Sequence, residues 1–100
     1  MVIKKEVVWT ENAEVQLEEI YQHIKEDSLQ NAEKVKEKIF ASTFQLSINP
    51  EKYNIDKYRK KNDGSYRAYE LFRYRISYHI AENEIVIIRV RSTDQKPLKY

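Results

Sequence analysis

Six arginines, seven of the eight tyrosines and one of the two histidines fall in the second half of this chain, and they are the residues with chemistry to offer. The stretch Tyr66–Arg91, YRAYELFRYRISYHIAENEIVIIRVR, carries Arg67, Arg73, Arg75, Arg89 and Arg91 on segments that alternate apolar and polar residues. Guanidinium groups suit bidentate contacts to phosphate and stacking on rings, whereas lysine commonly serves as solubilising charge. Just upstream, Lys57-Tyr58-Arg59-Lys60-Lys61 sets one aromatic ring within a basic run. That pattern fits a nucleic-acid backbone and its bases as well as it fits a solvated loop. His79 brings the one imidazole of that stretch, the side-chain type best suited to proton transfer, although a solvated strand histidine would look the same. The nine basic residues together form a target-binding or nucleic-acid-binding set.

The net charge of +2 conceals a division of sign. Residues 1–56 hold seven lysines, no arginine and eleven acids, for −4; residues 57–100 hold six arginines, five lysines and five acids, for +6. Such separation within one small chain points to an anionic partner for the second half. One hundred residues suit a single domain, 1–100. The absence of cysteine excludes disulfides, thiol catalysis and Cys-based zinc sites. Two histidines make a multi-histidine metal site improbable, and no cofactor, metal or small-molecule substrate is implied. Neither a membrane-length apolar run nor a leader-like h-region is present, so a cytoplasmic protein with no membrane role is expected.

The elements that must position the basic residues follow from periodicity. Residues 2–9, VIKKEVVW, read as an opening strand. Thr10 reads as an N-cap followed by Glu11 and Glu14, and Ala13, Leu17, Ile20, Tyr21 and Ile24 make one helical stripe ending near Asp27. Ser28 can cap a second helix with Ala32, Val35, Ile39 and Leu46 inward, widened by Phe40 and Phe44, and Asn49-Pro50 stops it. A short link makes these an antiparallel helical hairpin. Three strands follow, at Tyr66–Phe72, Tyr74–Ile80 and Glu84–Arg91. In the second, Tyr74, Ile76, Tyr78 and Ile80 share a core face opposite Arg75, Ser77 and His79. In the third, Val86, Ile88 and Val90 face away from Ile87, Arg89 and Arg91. The Ala81-Glu82-Asn83 connection is short enough for a hairpin, with Asn83 free to take a positive φ. The fold class is α+β: an N-terminal strand, a two-helix hairpin, and a three-stranded antiparallel meander completing a small sheet. Trp9, Leu17, Ile20, Ile39, Ile76 and Ile88 are the expected core.

The pattern WT-x2-A-x3-L-x2-I at Trp9–Ile20, the Asn49-Pro50 pair, and YR-x-SY at Tyr74–Tyr78 followed by IVIIRV resemble the RelE/ParE superfamily, toxins of bacterial type II toxin–antitoxin modules. The resemblance spans essentially the whole chain. It implies a small sheet with a basic concave surface beside a helical hairpin. Nuclease members of the family cut messenger RNA in the ribosome, and ParE-like members poison DNA gyrase; both are held by a cognate antitoxin. By position, Arg75 matches the arginine of the family's YR-x-x-Y strand, Arg67 a basic position that contacts RNA in nucleases, and Tyr100 stands in for a late tyrosine. Where nuclease members place an Arg or His past the last strand, this chain has Ser92-Thr93-Asp94, none a competent general acid near neutral pH. The reading therefore leans toward a ParE-like binding toxin. The alternatives are a ribosome-dependent endoribonuclease using Arg67, Arg75, His79 and Tyr100, and a degenerate member that only binds its antitoxin. The antitoxin is expected over the Phe40/Phe44 stripe and the arginines of the sheet.

Overall fold

The structure is a computed structural model that describes residues 4–100. Its elements run β1 (Glu6–Trp9), α1 (Glu11–Lys25), α2 (Leu29–Phe44), a 3₁₀ turn at Gln45–Ser47, then β2 (Tyr66–Leu71), β3 (Tyr74–Ile80) and β4 (Glu84–Ser92). Val2 and Ile3, expected to begin the first strand, lie outside the described residues. The strands form one four-stranded sheet in the order β1-β4-β3-β2. The three-strand meander is antiparallel as expected, but β1 joins β4 in parallel, so the sheet as a whole is mixed. A parallel neighbour needs a crossover connection, and the helical hairpin supplies it.

Thr10 is the pivot between sheet and helix. Its hydroxyl accepts from the Ala13 N–H at 3.1 Å, capping α1, and it donates toward the Ile87 and Ile88 carbonyls at 3.1 Å each. Ser28 caps α2 in the same way through Asn31 N–H. Because β1 pairs only with Glu84–Ile87, β4 runs on beyond it. There Gln16 of α1 accepts from the Val90 N–H at 2.8 Å, so this backbone donor does not go unpaired.

Ala13 and Leu17 of α1, Val35 and Ile39 of α2, Leu46, and Tyr69, Ile76, Tyr78, Ile85, Ile87 and Val90 of the sheet form the core. Trp9 and Ile20 are only partly buried against it. Ile88 is a correction. A bulge makes Tyr78 face Ile87 while Ser77 faces Arg89, leaving Ile88 as the extra residue on β4. The bulge shifts the two-residue alternation by one. Ile85 and Ile87 therefore enter the core in place of Val86 and Ile88, while Arg89 and Arg91 keep the side assigned to them.

The hairpin at Ala81–Asn83 forms as expected, the Ala81 N–H donating to the Glu84 carbonyl at 2.9 Å, but the positive φ falls elsewhere. Asn83 has no positive φ; apart from Lys61 and Gly64 in the loop, those angles belong to Phe72 (53°) and Arg73 (66°), the two-residue link between Leu71 and Tyr74. Positive φ at both central residues matches the twist of a hairpin, here adopted without the usual Asn-Gly. The long connection 48–65 packs through Tyr53, stacked on Tyr69 at 4.0 Å, and through Tyr78, whose hydroxyl donates to the Pro50 carbonyl at 2.6 Å. Burial pushes both the Tyr69 and Tyr78 hydroxyls up to about 12.

Ile76 is fully buried on the central face. Its replacement by alanine is expected to cost roughly 2–5 kcal/mol, whereas Ile88→Ala, outside the core, should cost clearly less. Urea-unfolding midpoints of the two variants check the order, and equal losses would refute the placement of the bulge.

Candidate functional site

Asp56 lies in the irregular connection and is 1% exposed, the most buried carboxylate among the described residues. One oxygen accepts from Arg75 Nη2 at 2.9 Å and from the Tyr58 N–H at 3.0 Å; the other accepts from the Tyr100 hydroxyl at 2.6 Å. Arg75 also reaches Glu70 at 3.6 Å on the exposed rim. Burial alone would raise the Asp56 pKa, but these three donors outweigh it and hold the carboxyl below its usual value. The same contact acts oppositely on Tyr100, whose hydroxyl is pushed well up by burial and by donating to a negative partner.

The loop that presents Asp56 is rigidly tied. Asn62 donates to the Asp56 and Tyr66 carbonyls at 3.1 and 2.7 Å and accepts from the Gly64 and Tyr66 N–H groups. Gly64 sits at φ 98°, a conformation other residues rarely adopt. Asp56 and Ala68 donate across to Tyr66 and Asn54, so the loop covers the outer edge of β2. On this frame a ladder of rings and guanidinium groups builds up. His79 stacks on Tyr66 at 4.2 Å, Arg59 lies 4.1 Å over Tyr66 and 5.2 Å from Tyr100, and Arg89 lies 4.0 Å from the Tyr100 ring. The segment 94–100 passes over the sheet to reach this ladder, and a cavity of about 120 Å³ remains beneath it, with Arg75, Arg89, Arg91 and Ser77 among its lining residues.

The structure sorts the expected residues into three places. Arg75, His79, Arg89 and Arg91 occupy one face of the sheet, through the pairings Ser77–Arg89, Arg75–Arg91 and His79–Val86. Arg59 and Tyr100 pack onto that face from the loop and the last segment. Arg67 pairs across from Tyr78 on the opposite, core-facing side. Its guanidinium donates to the Gly64 and Tyr53 carbonyls at 3.1 and 2.8 Å, so it ties the loop rather than joining Arg75. Lys57, Lys60 and Lys61 are exposed on the loop, and Arg73 is exposed at the β2–β3 turn. Arg75 is not the solvent-facing arginine its position suggested, because it is 21% exposed and paired to a buried acid. Tyr100 is held on both main-chain sides, donating to the Tyr58 carbonyl and accepting from Lys60 N–H, despite standing last in the sequence. Asp56 went unrecognised. An aspartate bonding the N–H two residues on is common in turns, and nothing local distinguishes this one.

A second surface lies between β1 and the hairpin. It is a groove of about 840 Å³ with Val7, Trp9, Leu17, Tyr21 and Phe40 on its floor and Glu6, Glu14, Glu33 and Glu37 at its rim. Phe40 and Phe44, 45% and 55% exposed, stack edge to face at 5.0 Å at its end.

A helical hairpin against a small sheet whose free face gathers arginines defines a class of small α+β toxin folds. The model of the ParE toxin of type II toxin–antitoxin systems matches residues 7–97, and this chain belongs to that family. No curated protein sequence matches the chain. Among solved structures, it is similar to a chain of the chromosomal ParDE toxin–antitoxin system from P. aeruginosa, at 20% identity and TM-score 0.70, covering 89% of this chain and 96% of that one. It is also similar to a chain of the RelBE2 toxin–antitoxin complex from Mycobacterium tuberculosis, at 18% identity and TM-score 0.62, covering 92% and 94%. The family match bears out the expected superfamily, and the two likenesses bear out the fold.

Removing the Asp56 charge strands Arg75 and frees Tyr100. Asp56→Asn is expected to cost roughly 2–4 kcal/mol at pH 7. The unfolded carboxyl protonates near pH ~3.9 and the folded one lower. Between those values the unfolded chain binds more protons, so this contribution is complete above the unfolded pKa and disappears as pH falls through the folded one. Urea midpoints from pH 7 down to pH 3 should show the variant with a flatter acid limb, and an unchanged limb would remove Asp56 from that role.

Proposed function

We propose that this chain is a cytoplasmic toxin that stops growth by binding a macromolecular target such as DNA gyrase, and that a cognate antitoxin restrains it. The observation that carries the binding reading is the state of the sheet face: its positive charge is abundant, but the late tyrosine of the nuclease set is already engaged and one of its arginines lies elsewhere. The Tyr100 hydroxyl is given to Asp56 with its pKa pushed up, and the His79 ring is stacked on Tyr66. Cleavage of a phosphodiester by its 2′-oxygen needs a positioned base and acid as well as charge. Arg67, the fourth member of the nuclease set, faces away from the others. Arg89 and Arg91 have no ion pair among the described residues, and with the exposed Lys57, Lys60 and Lys61 they supply the contact surface.

The restraint reading rests on the ParE family and on the groove. Both solved neighbours come from toxin–antitoxin systems. The floor of Trp9, Leu17, Tyr21 and Phe40, with Phe44 beside it, offers the aromatic anchors from which protein partners draw most affinity. Charged rims act mainly on orientation and encounter rate.

Two measurements test these readings. Expression in bacteria should halt growth with transcripts intact, and purified toxin should inhibit supercoiling by gyrase; Arg89→Gln with Arg91→Gln should abolish both effects. Transcripts cut in the ribosome, with cutting lost in His79→Ala, would overturn the binding reading in favour of a nuclease. Binding kinetics against the product of the adjoining reading frame should show an association rate that falls with salt and an affinity that survives moderate ionic strength. A complex that dissolves at moderate salt, or weakens no more than threefold in Phe40→Ala, would refute the apolar anchorage.

A further inference from the structure

The basic face is partly covered by the chain's own segment 94–100, and the cover hangs from one residue. Residues 93–99 are exposed, and Leu98 is 46% exposed, so no side chain between Thr93 and Lys99 anchors in the core. A tight turn at Ser92–Gln95 starts the segment, and the Lys96 carbonyl accepts a 3.3 Å bond from Arg91. The rest of the attachment is Tyr100: its main chain pairs with Tyr58 and Lys60, its hydroxyl donates to Asp56, and its ring lies against Arg89. Beneath the segment, Ser77 is 3% exposed although it points to the face that carries the arginines.

We propose that Asp94–Tyr100 is a removable cover over an anion site whose floor is Arg89, Arg91 and Ser77, and that Tyr100 is its latch. The proposal rests on the reading of the arginine face as the contact surface and adds how access to it is controlled. The ligand class is a phosphate-bearing group. The cavity of about 120 Å³ admits one phosphate-sized anion, and two guanidinium groups without carboxylate partners among the described residues face it. The acids nearby do not oppose this. Asp56 remains neutralised by Arg75 and the Tyr58 N–H when the latch lifts, and Glu70 stands exposed at the Arg75 rim. The Tyr100 ring and an incoming phosphate compete for the same Arg89 guanidinium, and charge-assisted bonds to phosphate are the stronger contact. A site open for only a fraction of the time binds more weakly by that fraction.

The experiment is calorimetric titration of the full chain with inorganic phosphate, alongside growth inhibition in cells. Tyr100→Phe keeps the ring and removes only the hydroxyl bond to a charged acceptor, which should shift the latch by about tenfold or more and tighten phosphate binding accordingly. Tyr100→Ala should bind at least as tightly as Tyr100→Phe, arrest growth at lower expression, and lose the gain when Arg89→Gln is added. Weaker binding in Tyr100→Phe would make Tyr100 part of the site and overturn the cover, as would unchanged affinity. Should Arg89→Gln leave growth arrest intact while Tyr100→Phe still gains affinity, the contact-surface reading fails and the latch stands.

Discussion

A carboxylate taken out of water must be met by donors or it will not stay charged, and Asp56 meets that requirement with one group from its own loop and two from remote parts of the chain. Arg75 comes from the centre of the sheet, the Tyr58 N–H from the loop, and Tyr100 from the last segment. Much of what is specific about the arginine face follows. The loop 56–62 is drawn down onto the sheet, Arg75 is aimed along the face instead of into solvent, and Tyr100 is brought between Arg59 and Arg89. Arg75 and Arg91 sit directly across from one another, an arrangement that like charges oppose, and Asp56 offsets that repulsion.

The division of charge along the chain becomes a division of surfaces. Residues 6–40 line the glutamate-rimmed groove of the hairpin, and residues 56–100 line the arginine cavity. One polypeptide therefore presents an apolar groove with an acidic rim and a basic face, each suited to a different partner. Rigidity also has a role here. The Asn62 bonds and the bound loop edge hold the loop that carries Tyr58 and Arg59 in place, which lowers the ordering cost of contacts made through it.

The helices, their caps and the meander were legible because each rests on local physics. Thr10 and Ser28 offer hydroxyls to N–H groups three residues on, stripes of period 3.6 mark buried helix faces, and alternation marks the strands. Motif order was enough to indicate the toxin superfamily. What the sequence could not determine depended on partners far away in the chain. Ile87 and Ile88 are chemically equivalent, and only the bulge against Ser77 and Tyr78, next to the carbonyls bonded by Thr10, decides which one is buried. Phe72-Arg73 carries no turn signature and takes positive φ because the pairing of Leu71 with Tyr74 demands it. Arg67 and Arg75 look alike on adjacent strands, yet the pleat sends them to opposite faces, one to backbone carbonyls and one to Asp56. By itself the sequence determined composition, periodicity, caps and the division of charge. The tertiary structure alone decided which charges meet, because a buried ion pair is defined by the fold that removes it from water.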